Sequence, residues 1–368
     1  MPADDFLPLL DVPAFPADGF APLADRLTAI LGTTADLVFV QAEALLALEA
    51  AATSLARPGL RAVNVVTSPY GTYFGAWLRR GGAEVVDVTA PPGQPIDAAA
   101  VADAIARQGR VDLVAIVHGE AANGALNPLE AVAALAKAAG ALLVVDAVAS
   151  AGGHVVDVDG LGIDLAVFGP QKALGGPVGL SFVTVSPAAW AAIEAAPRRS
   201  PSLLSLLDIK ETWLDRGRGA LPGTPPPLEF RALAAAVDRL EAEGLAARIA
   251  RHHRARDASR AGLRALGVAP WIAEDARASA LVTAAPVPPG IEAGALIAAA
   301  ARLGITLGRG FGDIEQRLVR LDHTGARAGF APVLANIAGY GAALAALGAS
   351  VDIGAGCAAV AAHYSEAG

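Results

Sequence analysis

A chain of 368 residues with 54% hydrophobic but only 5% aromatic side chains is long enough for a large domain plus a smaller one, and its alanine-rich apolar content favours closely packed helices. With 36 acidic against 28 basic residues, a formal net charge of −8 and no Lys/Arg run, it offers no footprint for nucleic acid, and its single cysteine, Cys357, excludes an internal disulfide and a thiolate zinc cage and fits a reducing cytoplasm. The opening segment MPADDFLPLLDVPAFPADGF is acidic and broken by proline, unlike a signal peptide, and no apolar run is long enough to span a bilayer, so a soluble cytoplasmic protein without a membrane partner is expected.

From about residue 36 to 185, short β-rich runs alternate with Ala/Leu-rich helical stretches: LVFV, RAVNVV, EVVDV, DLVAIVH, ALLVVDA, DLAVFG and GLSFVTV. Each run is nearly continuously apolar, as strands covered by helices on both faces should be, so the fold class is α/β with a mostly parallel seven-stranded sheet. Helical candidates sit between the runs, ALLALEAAATSLA, DAAAVADAIARQ and PLEAVAALAKAAG included. After Pro197 the segments PRRSPSLLSLLD and RGRGALPGTPPP are turn-rich, and a long helical stretch begins near Leu228. Its later part, EGLAARIARHHRARDASRAGLRALG, reads as a helix whose basic residues, His252 and His253 included, form a solvated face. From Trp271 the runs SALVTAAPV, ALIAAAARLG, ITLGRG, RLVRLDH and VLANIAGYGAALAALG predict a smaller α+β domain. The boundary falls near residue 245, giving a large domain over 1–245 and a small one over 246–368.

Two residues stand where chemistry is placed in such sheets. Asp146 ends an apolar strand, and ligands of open α/β sheets bind at the carboxyl ends of the strands. Lys172 follows the next strand inside GPQKALGGP, a Gly/Pro frame that keeps it off a regular helix. Spacing alone leaves a capping Asp146 and a solvated Lys172 equally open. Other chemistries lack their signatures: there is no G-x-S-x-G elbow, no phosphate-binding Walker loop, no H-E-x-x-H helix, and no ligand spacing among the six histidines, so no metal is expected. His118, at a strand end, is open between lining the site and serving as an ordinary loop residue.

The stretch from residue 142 to 180 resembles the cofactor-lysine region of class V aminotransferases of fold-type I, such as the alanine-glyoxylate and serine-pyruvate enzymes. HGEAANGALNPLEAV (118–132), SPYGTYFGAWLRRGGAEV (68–85), GRG and RLVRLDHTG extend the resemblance over most of the chain. The resemblance implies that Lys172 forms a Schiff base with pyridoxal and moves the α-proton, and that Asp146 keeps the ring nitrogen protonated. It implies that Tyr70 stacks on the ring, with Tyr73 and Phe74 as competitors, and that Gln171 lies beside the cofactor. Arg320 and Arg309 match the arginines that hold a substrate carboxylate, a task suited to a planar, permanently charged fork. Thr224, in GTPPP, matches an element that reaches into the partner's site in a homodimer.

Two places depart from the common family pattern. Where relatives carry small hydroxyl residues near the ring's 3-oxygen, this chain has Ala121 and Ala122, with Asn123 the nearest polar group. At the phosphate-binding turn it reads FVQAEALLALEAAA, with Glu43 in place of the phosphate ligands and no Ser or Thr before Thr53. A carboxylate there would repel a phosphate dianion. That turn resembles the pyridoxamine-pyruvate branch of the family, in which free pyridoxamine and pyridoxal are substrates and a Glu faces the 5′-hydroxymethyl group. Unphosphorylated pyridoxal or pyridoxamine, exchanging an amino group with pyruvate or alanine, is therefore preferred over pyridoxal 5′-phosphate. A phosphate-dependent alanine/serine-glyoxylate or serine-pyruvate aminotransferase and a catalytically degenerate B6-binding relative are the alternatives, and Glu43 as a simple helix-start carboxylate is the plain reading of that residue.

Overall fold

The computed structural model describes residues 11–197 and 201–365, so part of the opening segment and of the turn-rich stretch after Pro197 lies outside the described residues. The seven apolar runs form strands β1 (Asp36–Val40), β2 (Arg61–Val66), β3 (Glu84–Thr89), β4 (Leu113–Val117), β5 (Leu142–Asp146), β6 (Leu165–Phe168) and β7 (Ser181–Val185). They make one sheet in the order β1-β7-β6-β5-β4-β2-β3. β7 runs antiparallel to both its neighbours and every other pairing is parallel. β3 departs from the expectation of two covered faces: as the edge strand it keeps only Val88 fully buried.

Around the sheet lie α1 (Phe20–Leu31), α2 (Ala44–Leu55), α3 (Pro69–Arg80), α4 (Ala98–Gln108), α5 (Leu129–Ala139), α6 (Pro187–Glu194) and α7 (Leu206–Thr212). Parallel neighbours need crossovers, and α2, α3, α4 and α5 each connect one strand to the next in sequence. The long helical stretch is two helices, α8 (Pro227–Glu243) and α9 (Leu245–Ala265), broken at Gly244, whose φ of 81° suits glycine. Beyond them come β8 (Val282–Pro286), α10 (Ala293–Arg302), β9 (Gly308–Arg309), β10 (Leu318–Asp322), α11 (Phe330–Ala346) and α12 (Ile353–Ser365). Strands β8, β10 and β9 form a small antiparallel sheet in that order. One apolar core gathers side chains from Phe20 to Leu240 around the large sheet, and a second gathers Ala255 to Val360 around the small one.

The basic residues of α9 correct the expectation of a solvated face. Arg248, His252 and Arg260 are buried. Arg260 Nη2 donates to the carbonyls of Ile272 and Ala273 and its Nε pairs with Asp275, while Arg251 Nη1 reaches the carbonyls of Gly325 and Ala328. Three of its guanidiniums, on Arg248, Arg251 and Arg260, satisfy loop carbonyls that helices and strands leave unpaired, while Arg254 and Arg264 stay exposed. Cys357 is a free, half-buried thiol on α12.

Candidate active site

β5 and β6 are parallel neighbours in which Asp146 pairs with Val167, so their carboxyl ends lie side by side. Asp146 is the last residue of β5, and Lys172 stands four residues beyond the end of β6 in a turn closed by Gly176 N donating to Pro170 O at 2.7 Å. The turn is clamped from α9: Arg248 Nη1 donates to the carbonyls of Leu174 at 2.7 Å and Ala173 at 3.3 Å, and its Nε pairs with Glu243 at 2.7 Å. From the turn after β10, Gly325 packs so close that a Cβ there would lie 3.2 Å from the Lys172 carbonyl.

A cavity of about 250 Å³ opens over these strand ends, and its walls bring together Glu43, Tyr70, Asp146, Gln171 and Lys172. Asp146 Oδ1 accepts from Val148 N at 2.9 Å. Burial pushes its carboxyl up to about 6; the Val148 amide and the Lys172 charge oppose the shift and the Glu43 carboxylate adds to it. Burial likewise lowers the Lys172 ammonium, while Asp322, Asp146 and Glu43 raise it and Arg320 lowers it. An amine with a depressed pKa is free as a nucleophile nearer to neutral pH. Gln171 Oε1 is buried without a hydrogen-bond partner, an acceptor a ligand could satisfy.

Of the three candidate aromatic rings, Tyr70 lines the cavity, Tyr73 is exposed and Phe74 is buried in the large core. Glu43 is the N-cap of α2, with Leu45 N donating to Oε2 at 2.9 Å. The carboxylate is thus both a helix cap and part of the cavity wall, and among the described residues its Oε1 has no hydrogen-bond partner. Arg320, on β10, is held by backbone carbonyls: Nε donates to Arg309 O at 2.9 Å and Nη1 to Ala121 O at 2.8 Å, with the guanidinium 4.9 Å above the Phe311 ring. Nη2 is left over. Burial lowers the Arg320 pKa, with Tyr70 and Asp322 acting against that shift.

Neither arginine lines the cavity: Arg320 touches its wall at the Ala121 carbonyl, whereas the Arg309 side chain is half exposed and pairs with Glu315 at 2.9 Å. Thr224 is exposed in the segment leading to α8, away from the cavity walls. His118 is buried beside His154 and lines a different cavity with Asn127 and Arg277. Among the described residues no group of three or more His, Cys, Asp or Glu side chains could hold a metal ion, and no helix is long and apolar enough to cross a membrane.

Three residues near the site are absent from the sequence expectations. Asp322, two residues after Arg320 on β10, is the charged group that most strongly raises Lys172. Arg248 braces the lysine turn. Glu120 is fully buried next to Ala121, a cavity residue. The signal for Glu120 was the polar cluster HGEAAN directly after a strand.

A parallel-sheet crevice that joins a lysine, a strand-end aspartate and a cavity-lining tyrosine is the arrangement of a fold-type I vitamin B6 enzyme. The aminotransferase class-V model matches residues 26–331, and the chain belongs to that family. It is 37% identical over 323 residues to a pyridoxamine–pyruvate transaminase of Mesorhizobium japonicum, covering 87% of this chain and 81% of the relative. The crystal structure of pyridoxamine-pyruvate aminotransferase from Mesorhizobium loti superposes with a TM-score of 0.90 at 34% identity, over 95% of this chain and 89% of the other. Ureidoglycine-glyoxylate aminotransferase from Bacillus subtilis gives 0.88 at 25% identity, over 99% and 95% of the two chains.

Proposed function

We propose that this aminotransferase moves an amino group between pyridoxamine and pyruvate, giving pyridoxal and L-alanine, with the unphosphorylated vitamin as a substrate. The observation that carries this reading is Glu43: a carboxylate, not a hydroxyl, caps α2 at the cavity wall. A helix N-terminus with free amides attracts a phosphate, whereas here the cap already satisfies the Leu45 amide and adds negative charge. A neutral 5′-hydroxymethyl group can instead donate to Glu43 Oε1.

The ring supplies an electron sink when bound; the chain supplies positioning, proton transfer and charge. Lys172 Nζ is the covalent attachment point for pyridoxal and the base that takes and returns the proton at the reacting carbon. Asp146, ionised against a protonated ring nitrogen, keeps that nitrogen charged. Tyr70 covers the ring face, Gln171 Oε1 accepts from the ligand, and Arg320 Nη2 pairs with the carboxylate of pyruvate or alanine. Arg309 holds Arg320 through its carbonyl and is a second anchor for that carboxylate only if its pair with Glu315 opens. In this proposal the active unit is a cytoplasmic homodimer in which Thr224 serves the partner's cavity.

The test is turnover of pyridoxamine against pyridoxamine phosphate with pyruvate as acceptor, followed by the absorbance of the aldehyde product. The proposal requires a higher kcat/KM for pyridoxamine; a higher value for the phosphorylated amine refutes it.

A further inference from the structure

We infer that Glu120 is a positioning residue of this site, anchoring the first turn of α3 and thereby fixing the Tyr70 ring over the ligand cavity. Glu120 begins a tight turn after β4, in which Glu120 N donates to Ala125 O at 2.9 Å and Gly124 N donates to Glu120 O at 2.9 Å. Its side chain is fully buried, and its Oε1 accepts from the Thr67 hydroxyl at 2.5 Å. The same hydroxyl accepts from Asn127 Nδ2 at 2.8 Å, and Asn123 Nδ2 donates to the Thr67 carbonyl at 3.1 Å. Thr67 is the residue between β2 and Ser68, the N-cap of α3, and Tyr70 lies two residues past that cap. Three side chains of the β4 turn thus converge on the residue that sets where α3 begins.

The second oxygen decides the form in which Glu120 works. Oε2 is buried and makes no hydrogen bond of full geometry; besides Thr67, the Ser68 hydroxyl is the polar group that bears on this carboxyl. The charged or titratable groups around it are Asp146 at the end of β5, Tyr70 on α3, and Arg320, which reaches the carbonyl of Ala121 from β10. None of them pairs with it. Burial without a cation to pair with disfavours the carboxylate more than the neutral carboxyl, so the site shifts Glu120 toward its acid form. In agreement, burial pushes Glu120 up to about 7, with the Ser68 and Thr67 hydroxyls pulling it down and the Asp146 charge pushing it further up. When a protonated ring nitrogen keeps Asp146 ionised, the proton on Glu120 is held more firmly, and the site carries one buried anion instead of two. Ionisation of Glu120 would put a second charge beside Asp146 and loosen the anchor on Thr67.

The inference rests on Lys172 as the imine-forming residue but not on the choice of vitamer, so pyridoxal phosphate replaces pyridoxal as the probe if the latter fails to bind. Glu120→Gln keeps the shape and the neutral state; Glu120→Ala removes the anchor. Each protein is titrated with pyridoxal between about pH 6 and 9, following imine absorbance and its induced circular dichroism. Glu120→Gln should bind within about threefold of wild type at the acid end, keep the dichroic band, and lose whatever weakening wild type shows as pH rises through about 7. Glu120→Ala should bind at least about tenfold more weakly with an altered dichroic band, because the ring above the chromophore is no longer fixed. A Glu120→Gln profile with the same pH dependence as wild type, or a folded Glu120→Ala protein with wild-type affinity and dichroism, overturns the inference. If Glu120→Ala does not fold, the Glu120→Gln profile alone decides.

Discussion

Replacing Glu43 by serine should reverse which vitamer the cavity prefers. Serine ranks with the acidic residues as a helix N-cap, so the Leu45 amide keeps an acceptor and α2 keeps its start. What changes is charge. A phosphate monoester carries about −1.5 to −2 at pH 7. A carboxylate about 5 Å away, at an effective dielectric constant of roughly 20–40, opposes each unit by about 1.7–3.3 kcal/mol. Glu43 is exposed, so solvent screening reduces the net effect to roughly 1–3 kcal/mol, or about 5- to 150-fold in affinity for pyridoxal phosphate. Glu43→Ser should gain affinity for pyridoxal phosphate in that range and lose a few-fold for pyridoxal, through the hydrogen bond from its 5′-hydroxyl. Titrating each aldehyde into wild type and variant, read by imine absorbance, gives the four affinities needed. General damage weakens both ligands. Parallel losses, or tighter binding of pyridoxal phosphate by the wild-type protein, would refute the reasoning.

Asp146→Asn should separate stability from activity. The folded carboxyl titrates near 6, above its ordinary value, so the neutral form is the one the free protein favours: its contribution is fully present at low pH and is lost as pH rises through about 6. The variant should therefore raise the melting temperature of the ligand-free protein at pH 8 by the equivalent of about 1–3 kcal/mol, leave it nearly unchanged at pH 4, and lower kcat by orders of magnitude. An unchanged kcat removes Asp146 from the site. Arg320→Leu should raise the KM for pyruvate by tens to thousands of fold, from a loss of roughly 2–5 kcal/mol, with a much smaller effect on pyridoxamine; equal effects in steady-state kinetics would point to a structural role. Arg248→Met leaves the Ala173 and Leu174 carbonyls without this donor, and should cost about 2–4 kcal/mol in thermal unfolding and slow imine formation at Lys172; a variant as stable as wild type contradicts the clamp.

The large sheet was legible because strands buried on both faces must be apolar throughout, which holds for all but the edge strand β3, and all seven runs became strands. α3 was not among the named helix candidates; SPYGTYFGAWLRR carries glycines that lower helix propensity. At Gly71 the reason is packing: a Cβ there would stand 2.6 Å from the Val65 carbonyl, so only glycine lets the helix approach β2. The arginines of α9 misled because helical spacing shows which residues share a face, not whether carbonyls wait opposite. Lys172 and Asp146 were placed at adjacent strand ends by pattern, and the family resemblance added what each would do. Glu120 escaped because its only mark was the polar cluster HGEAAN after β4, and Asp322 because a lone carboxylate at a strand's end has no periodicity to mark it. Their partners, Thr67 and Lys172, lie 53 and 150 positions away in sequence.

The chain has only three lysines, Lys137, Lys172 and Lys210, which makes covalent trapping decisive. Wild-type protein is incubated with equimolar pyridoxal and pyridoxal phosphate, reduced with borohydride, digested and weighed by peptide mass spectrometry. A reduced pyridoxal adduct on Lys172, well in excess of the phosphorylated adduct, is the predicted result. A predominantly phosphorylated adduct on Lys172 would contradict the free vitamin as substrate, and a label confined to Lys137 or Lys210 would contradict the site itself.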